Sequence, residues 1–316
     1  MDRNFTKNLV IIGGGPAALT AALYAARAGI GVQVYERANV GGLLGEISQL
    51  DNYPGFTGVG SDLATAMRRQ AETAGARIEY GECTAVHPLT DGRATEEAVV
   101  AGGTDADTNS RMAGQARFEL VIDGAAVRAG AVLVATGAEP KHLPFTVTPP
   151  VSYCALCDGA LAKGQNVVVV GGANSAAHEA LYLANLAHSV TLITHSALKA
   201  DAAYSARLAN TSNIKIIENR EPNPEFLNRF AYVFVAIGRT PATNFLRNLP
   251  ILNPNGYILT GETVFADQAS PSGFAHMSAL PGLFAAGDVR EGSVRQIVSA
   301  AGDGAAAAIE ISEWLR

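Results

Sequence analysis

The most specific chemistry in this 316-residue sequence belongs to two cysteines, Cys154 and Cys157, three positions apart in the segment Cys154–Gly159. A CxxC pair closes a small disulfide ring, and one thiolate can attack a mixed disulfide held by the other cysteine without a large motion. The spacing therefore predicts a redox-active dithiol. A zinc half-site and a structural disulfide are the alternatives that the pair by itself allows.

Composition bears on those alternatives. Zinc would need two further ligands, but the third cysteine, Cys83, stands alone and the six histidines show no paired spacing. The chain starts without the apolar core of a signal peptide, and no run approaches the length of a membrane span. We therefore expect a cytoplasmic protein, in a compartment where structural disulfides are rare. A net charge of −6 gives no reason to expect nucleic acid or an anionic membrane as a partner.

A glycine-rich turn near the start of the chain, Gly13–Ala18, has the G-x-G-x-x-A spacing of dinucleotide-binding turns. It lies between a predicted strand, Leu9–Ile12, and a predicted helix that runs to about Ala28. In such turns the first glycine, here Gly13, allows a tight bend, and the second lets a pyrophosphate approach the backbone at the helix start. Glu36 is placed to accept hydrogen bonds from ribose hydroxyls. These residues predict a dinucleotide site; a glycine-rich turn without a ligand is the alternative.

The same design recurs later in the chain. The strand Val32–Tyr35 completes the first βαβ unit. A second unit is predicted from the strand Val167–Val170, the turn Gly171–Ala176, the helix Ser175–Ala187 and the strand Val190–Ile193. Two βαβ units of one design predict an α/β fold with two Rossmann-like domains, each of three-layer ββα architecture.

Four further segments complete the predicted elements. Arg77–Val86 and Arg117–Ile122 are predicted to be strands of a small antiparallel sheet. Between them, Thr90–Ala116 is rich in Gly, Ala, Thr and Asp without an apolar period, which indicates a surface excursion with no catalytic role. Leu283–Ala286 is predicted to be a buried strand, and a final helix is predicted from about residue 301 to residue 314.

Eight short motifs follow one another along the chain: Gly13–Ala18, Gly41-Gly42, Asp51–Gly55, Ala135–Gly137, Cys154–Gly159, Ala285–Asp288, Arg295-Gln296 and Ala300–Gly302. In this order they resemble the motifs of the low-molecular-weight bacterial thioredoxin reductases, and the resemblance covers nearly the whole chain. It implies FAD in a discontinuous domain, residues 1–144 and 243–316, with the second Rossmann-like domain, 145–242, inserted as a unit that can rotate. It also implies a homodimer.

The resemblance also implies a role for each catalytic residue. Cys157 would face the flavin, and Cys154 would attack a protein disulfide, with thioredoxin as the expected partner. Asp158 would protonate the leaving thiolate; a carboxylate that caps a helix start is the alternative for this residue. The residues implied in the FAD site are Gly13, Gly15, Pro16, Ala17, Glu36, Arg37, Gly42, Leu43, Asn52, Cys83, Thr136, Gly137, Gly287, Asp288, Arg295, Gln296 and Ile297.

The second βαβ unit departs from the family pattern at three places. The close-approach glycine is replaced by Ala173, whose methyl group would intrude on a pyrophosphate. The family's arginines for a 2′-phosphate are absent, because Thr194-His195-Ser196 and Ala200 occupy their positions. The family's antiparallel meander is missing, because only 14 residues, 218–231, separate the strand Ile214–Ile217 from the strand Tyr232–Ile237.

These departures predict that NADPH is not the electron source. Some relatives without the NADPH motifs take electrons from reduced ferredoxin, and this chain resembles those most. A related variety binds a second flavin where NADPH would lie, which the altered second turn also permits. Two other functions stay open as well. One is a dithiol oxidase, in which oxygen reoxidises the flavin. The other is a non-catalytic flavoprotein that senses redox state through its dithiol.

Overall fold

The computed structural model describes residues 8–47, 50–90, 93–94, 117–261 and 273–316. The predicted surface excursion at 90–116 therefore lies almost wholly outside the described residues. The chain forms two compact units: unit 1 comprises Met1–Ala138 and Pro241–Arg316, and unit 2 comprises Glu139–Thr240. No helix in the described ranges is long and apolar enough to cross a membrane.

The elements follow the alternation of strands and helices that the sequence predicts. In chain order they are β1 (Asn8–Ile12), α1 (Pro16–Arg27), β2 (Gly31–Glu36), β3 (Leu50–Tyr53), β4 (Phe56–Gly58), α2 (Gly60–Thr73), β5 (Arg77–Tyr80), β6 (Cys83–Thr90), β7 (Arg93–Ala94), β8 (Phe118–Ile122), β9 (Ala125–Ala129), β10 (Ala131–Val134), β11 (Ala138–Pro140), β12 (Val151–Ser152), α3 (Ala155–Asp158), β13 (Asn166–Val170), α4 (Asn174–Ala184), β14 (Ser189–Ile193), α5 (Ala202–Ala209), β15 (Ile214–Ile217), α6 (Pro224–Leu227), β16 (Tyr232–Val235), β17 (Arg239–Pro241), β18 (Leu283–Ala285) and α7 (Ile297–Trp314).

The centre of unit 1 is a five-stranded parallel sheet in the order β18-β10-β1-β2-β5. β10 is buried along its whole length, and β1 is buried from Leu9 to Ile12. Strands covered on both faces are apolar at successive positions rather than alternating, which is why the sequence predicts them as short apolar runs. This parallel sheet confirms the Rossmann-like architecture predicted for the first βαβ unit.

Small residues let two helices of unit 1 pack closely. Five alanines of α1 are buried, and α7 buries Ala307 and Ala308 beside them. At the crossing, a Cβ atom on Gly304 would collide with the carbonyl oxygen of Ala17. A larger side chain at either helix would therefore push α7 away from the turn that precedes α1.

The predicted antiparallel strand Arg77–Val86 is wrong over its first half. β5 pairs in parallel with β2 in the central sheet, and only β6 pairs antiparallel with β8, in a second sheet of order β7-β6-β8-β9. The break falls at Gly81, whose N–H donates to the Glu36 carbonyl and whose missing Cβ would meet Ile122 at 2.8 Å. The apolar positions change phase at this glycine, from Ile78 and Tyr80 to Cys83 and Ala85, and the prediction of one continuous strand overlooks that shift.

Unit 2 contains a five-stranded parallel sheet in the order β12-β16-β13-β14-β15, which confirms the second predicted Rossmann-like unit. Its helix α4 ends at Ala184, three residues before the predicted end. The reason is Asn185, whose side-chain amide donates to the Leu181 carbonyl at 3.0 Å and so satisfies a free group of the last turn.

The last helix of the chain, in unit 1, starts earlier than predicted. α7 begins at Ile297 rather than near Ala301, because Gln296 and Ser299 form a reciprocal capping box.

Candidate active site and nucleotide turns

The two cysteines of the CxxC segment are joined by a disulfide in unit 2, with their Cα atoms 5.3 Å apart. Cys154 is the N-cap of the one-turn helix α3, and its sulfur accepts a hydrogen bond from the Cys157 N–H at 3.2 Å. In the part of the chain that the structure describes, no group of three His, Cys, Asp or Glu side chains could hold a metal ion. The geometry is that of a pair that can open and close as a disulfide.

Asp158 is held beside the disulfide by a serine that sequence reasoning missed. Ser152 Oγ donates to Asp158 Oδ2 at 2.7 Å and accepts from the Cys154 N–H at 3.1 Å. Asp158 also precedes a 3₁₀ turn, Gly159–Ala162, but makes no side-chain cap hydrogen bond there. The capping interpretation thus lacks the hydrogen bond that it requires. The sequence signal that could have found Ser152 is its hydroxyl, two positions before the first cysteine of the CxxC pair.

The helix α3, which begins directly after Cys154 and is called the disulfide helix below, packs directly on α4. Ala155 is buried, and a Cβ on Gly159 would meet Tyr182, Leu183 and Leu186 at 3.1–3.3 Å. These contacts leave α3 little freedom to shift, so the sulfurs are carried on a fixed support.

Glu179 on α4 is a second acid that sequence reasoning missed, and it contacts the disulfide helix at Ala155. Its carboxylate accepts a hydrogen bond from the Ala155 backbone, and burial raises its pKa to about 7 despite the positive charge of Arg239. Nothing in the sequence distinguishes this glutamate from a surface residue of a helix.

The first glycine-rich turn is required by the fold at two positions. Gly13 has φ +104°, and a Cβ there would collide with the carbonyl of Ala135. Its N–H donates to the Tyr35 carbonyl at 2.8 Å. Gly14 donates its N–H to Glu36 Oε2 at 2.6 Å, and a Cβ there would meet the Glu36 side chain at 3.0 Å. Both glycines therefore serve contacts within the protein.

Gly15 is different, because nothing in the fold requires a glycine there. It is the N-cap of α1 with φ −76° and ψ −176°, which any residue can adopt. A Cβ on Gly15 would meet no atom within 4 Å. The turn thus keeps an open space at a helix N-terminus, beside free N–H groups, and this space fits the pyrophosphate of a dinucleotide.

Other residues of the predicted FAD site converge on the same turn. A Cβ on Gly42 would lie 3.6 Å from the Gly15 Cα, and one on Gly287 would lie 3.0 Å from the Ala17 Cβ. Asn52 Nδ2 lies 3.4 Å from Gln296 Oε1. The residues present therefore fit FAD.

The remaining predicted FAD residues lie around these or apart from them. Thr136 Oγ1 donates to the Ala242 carbonyl at 2.9 Å, and Arg295 Nη2 lies 3.3 Å from the Tyr257 hydroxyl. Cys83 lies apart in the core, with its sulfur 3.4 Å from the Ala85 carbonyl and its pKa raised to about 12 by burial. Asp288 Oδ1 accepts a hydrogen bond from the Ser293 hydroxyl at 3.1 Å, and the Gly137 carbonyl accepts from the Ala242 N–H at 3.1 Å. The other predicted FAD residues in unit 1 are Pro16, at the start of α1, Arg37, Leu43 and Ile297.

A buried ionic network supports the segment that contains Gly287. Asp303 accepts hydrogen bonds from the Gly287 N–H at 3.1 Å and from Arg290 at 2.6 and 2.9 Å. His276 Nδ1 lies 2.9 Å from Glu310. Burial alone would lower the pKa of His276, but the carboxylates of Asp303 and Glu310 outweigh it and raise that pKa to about 9. Burial would likewise raise the pKa of Asp303, but His276 and Arg290 hold it well below its usual range.

The second glycine-rich turn repeats the first almost bond for bond. Gly171 has φ +148°, its N–H donates to the Ile193 carbonyl at 3.0 Å, and a Cβ there would collide with the carbonyl of Ala236. The Lys199 N–H donates to the Gly172 carbonyl at 2.7 Å, as the Gly41 N–H does to the Gly14 carbonyl at 2.7 Å in unit 1. The backbone of the turn is thus preserved in both units.

The residues that would meet a ligand are not preserved. Ala173 is the N-cap of α4 with φ −103° and ψ −176°, close to the conformation of Gly15, so its methyl group occupies the corresponding space. Thr194 stands where Glu36 stands in unit 1, but its hydroxyl donates to the Ser196 carbonyl at 2.9 Å. His195 is exposed, and residues 218–231 hold the short helix α6 and no strand.

Comparison with known proteins shows matches across both units. The sequence profile of the pyridine nucleotide-disulphide oxidoreductase family matches residues 7–304. A thioredoxin reductase of Bacillus subtilis strain 168 is 32% identical over 335 residues, which cover 98% of this chain and 94% of the relative. The crystal structure of thioredoxin reductase from Streptococcus pyogenes MGAS5005 is similar with a TM-score of 0.78, at 28% identity and 99% coverage of both chains. Thioredoxin reductase from Giardia duodenalis also gives a TM-score of 0.78, at 27% identity and 98% coverage of both chains.

Proposed function

The chain belongs to the pyridine nucleotide-disulphide oxidoreductase family, as a thioredoxin reductase-like FAD disulfide oxidoreductase, and we propose that it reduces thioredoxin with electrons that do not come from NADPH. The observation that carries the first part is the Cys154–Cys157 disulfide with Asp158 beside it. The observation that carries the second is Ala173, which fills in unit 2 the space that Gly15 leaves open in unit 1.

The exchange follows from the chemistry of the dithiol. With the pair reduced, the Cys154 thiolate attacks one sulfur of the thioredoxin disulfide, and the other thioredoxin sulfur leaves as a thiolate. Cys157 then attacks the Cys154 sulfur, which closes the enzyme disulfide and releases the second thioredoxin sulfur. Asp158 supplies a proton to a leaving sulfur, and the Ser152 hydroxyl holds its carboxyl in position.

FAD would be held by the open turn at Gly15 and by the segments at Gly42 and Gly287 that approach it. When bound, it would supply the two electrons that open the enzyme disulfide. Glu36 fixes the turn by accepting from the Gly14 N–H, and a second oxygen of the same carboxylate accepts from the Ala38 N–H at 2.8 Å. Each carboxylate oxygen keeps a further lone pair, which leaves Glu36 able to accept from a ribose hydroxyl.

The donor proposal rests on what unit 2 lacks. A 2′-phosphate needs a guanidinium fork and an NAD ribose needs a carboxylate, but Thr194, His195 and Ser196 supply neither. Losing a charge-assisted contact weakens binding by about 1.5–3 kcal/mol, or roughly ten- to more than a hundredfold, before any clash with Ala173 is counted. Reduced ferredoxin is the donor that we propose, because single-electron delivery needs no nicotinamide stacked in this unit.

The experiment is anaerobic mixing of the oxidised holoenzyme with NADPH, then NADH, then reduced ferredoxin, while flavin absorbance and thioredoxin thiols are followed. We expect neither nucleotide to bleach the flavin at a useful rate. Fast bleaching by NADPH would overturn the donor proposal and leave the thioredoxin proposal intact. A chemically reduced enzyme that fails to reduce thioredoxin would overturn the latter. The proposal further includes a homodimer, which sedimentation of the holoenzyme would test.

A further inference from the structure

Glu179 is a partly buried acid with one buried carboxylate oxygen, and the exchange mechanism does not use it. It lies on α4 at the surface that packs against the disulfide helix, where its carboxylate accepts from the Ala155 backbone. Ala155 directly follows Cys154 and is buried. Among the residues that the structure describes, no donor lies within hydrogen-bonding distance of Glu179 Oε2, although that atom is buried. A buried carboxylate oxygen without a hydrogen-bond donor costs free energy, and that cost is larger for the ionised form of the acid.

Among the described residues, Arg239 is the charged group that acts on the pKa of Glu179. The positive charge of Arg239, at the start of β17, lowers the pKa of Glu179. Arg239 Nη2 also lies 3.5 Å from the carbonyl of Tyr153, the residue that precedes Cys154 in the sequence. On the disulfide helix, the carboxylate of Asp158 is turned to Ser152. On α4 itself, His178 is exposed. The charge that changes near Glu179 on reduction is therefore the negative charge that forms on the dithiol.

We propose that Glu179 is a proton-linked positioning residue of the Cys154–Cys157 couple: it fixes the Ala155 amide and takes up a proton when the disulfide is reduced. This inference rests on the proposed dithiol chemistry. Two electrons break the sulfur–sulfur bond and leave two thiolate sulfurs, one of which takes a proton from solvent. The remaining thiolate places a negative charge on the segment that Glu179 contacts at Ala155, and like charges disfavour ionisation.

The sign of the effect follows from the state of the acid before reduction. With the disulfide closed, Glu179 has a pKa of about 7, so it loses its proton as pH rises through neutrality. With a thiolate nearby that pKa rises, so above about pH 7 reduction draws one extra proton onto Glu179. Each extra proton changes the equilibrium constant of the couple tenfold per pH unit, or about 30 mV for two electrons. Proton uptake by Glu179 thus keeps the disulfide reducible at pH values where a carboxylate that stayed ionised would repel the new thiolate.

The test is the dithiol–disulfide equilibrium of the holoenzyme in dithiothreitol redox buffers across neutral pH, read by alkylation and mass. Glu179→Gln keeps the shape and removes the ionisation, and Glu225→Gln, on the exposed surface of α6, is the matched control. Above about pH 7 the wild type and Glu225→Gln should show the same pH dependence, and Glu179→Gln should lose up to about a tenfold change per pH unit. Parallel profiles for wild type and Glu179→Gln would overturn the proposal.

A second measurement keeps the proposal testable if Glu179→Gln does not fold. Infrared difference spectra of reduced minus oxidised wild type should show a protonated carboxyl appearing near neutral pH, and a spectrum without it would overturn the proposal. The outcome is separable from that of the proposed function. A wild-type pair that never exchanges with thioredoxin fails the proposed function, whereas normal exchange with parallel profiles fails only the role of Glu179.

Discussion

Gly15→Ala should weaken FAD binding without disturbing the fold. The backbone conformation at Gly15 is one that Ala173 adopts in unit 2, and the added methyl group would meet no protein atom within 4 Å. Replacing a glycine by alanine at such a site stabilises a protein by about 0.4–1 kcal/mol, because the unfolded chain loses freedom. The free energy of unfolding of the apoprotein should therefore stay equal or rise slightly.

The same methyl group should weaken FAD binding. Forcing an extra carbon into a close contact costs about 1–3 kcal/mol, which corresponds to a loss of affinity of about 5- to 150-fold. The assay is titration of apoprotein with FAD, followed by quenching of flavin fluorescence, together with denaturant unfolding of each apoprotein. Ala173→Gly is the matched control in unit 2 and should leave the FAD affinity unchanged.

Two results would refute this reasoning. Unchanged FAD affinity in Gly15→Ala would show that the open space is not the pyrophosphate site. An apoprotein destabilised by more than about 1 kcal/mol would show that the glycine serves the fold after all. Gly13→Ala gives the contrasting case, because its positive φ and its approach to the Ala135 carbonyl should make the variant unfold more easily.

Three further predictions concern groups in each unit. Asp158→Asn should slow thioredoxin reduction by about 10²–10⁴-fold at unchanged flavin content, and unchanged turnover in a thioredoxin assay would remove its acid–base role. Reduced wild type should release two thiolates from an aromatic disulfide reagent, whereas Cys157→Ser should release one and keep a mixed disulfide at Cys154; two released from the variant would contradict the assigned roles. His276, whose pKa is raised to about 9, should stabilise the fold fully below about pH 6.5 and lose that contribution as pH rises through about 9. The loss is on the order of 3 kcal/mol in denaturant unfolding, and His276→Gln should flatten this part of the profile; an equally steep profile would show that another group titrates.

The sequence predicts the parts of this fold that rest on local chemistry. Both glycine-rich turns, the short apolar strands around them and the cysteine pair follow from residue types at fixed spacing, because each depends on neighbours close in the chain. The sequence also predicts that the second glycine-rich turn has lost its open space for a ligand, since Ala173 replaces a glycine at a defined position. The structure adds that Ala173 and Gly15 share a backbone conformation, so the difference between them concerns space alone.

What the sequence does not predict depends on partners that are distant along the chain. The partners of the two strands that meet at Gly81 are distant along the chain, because β5 pairs with β2 and β6 pairs with β8. Glu179 is an ordinary helix residue in the sequence, and it becomes unusual only because α4 packs on the disulfide helix. Helix ends depend on side-chain caps such as Asn185, which composition predicts within a few residues at best.

The burial of Cys83 has a consequence for how this protein withstands oxidants. With a pKa of about 12, only about one molecule in 10⁵ carries a thiolate there at neutral pH, and the thiolate is the form that peroxides attack. Among the three cysteines, Cys154 and Cys157 are therefore the ones that we expect peroxides to oxidise. A sulfenic acid on either of these two can condense with the other thiol to a disulfide, because their Cα atoms lie 5.3 Å apart. Under oxidant stress the enzyme should therefore accumulate in its disulfide form, and one two-electron reduction should restore the dithiol.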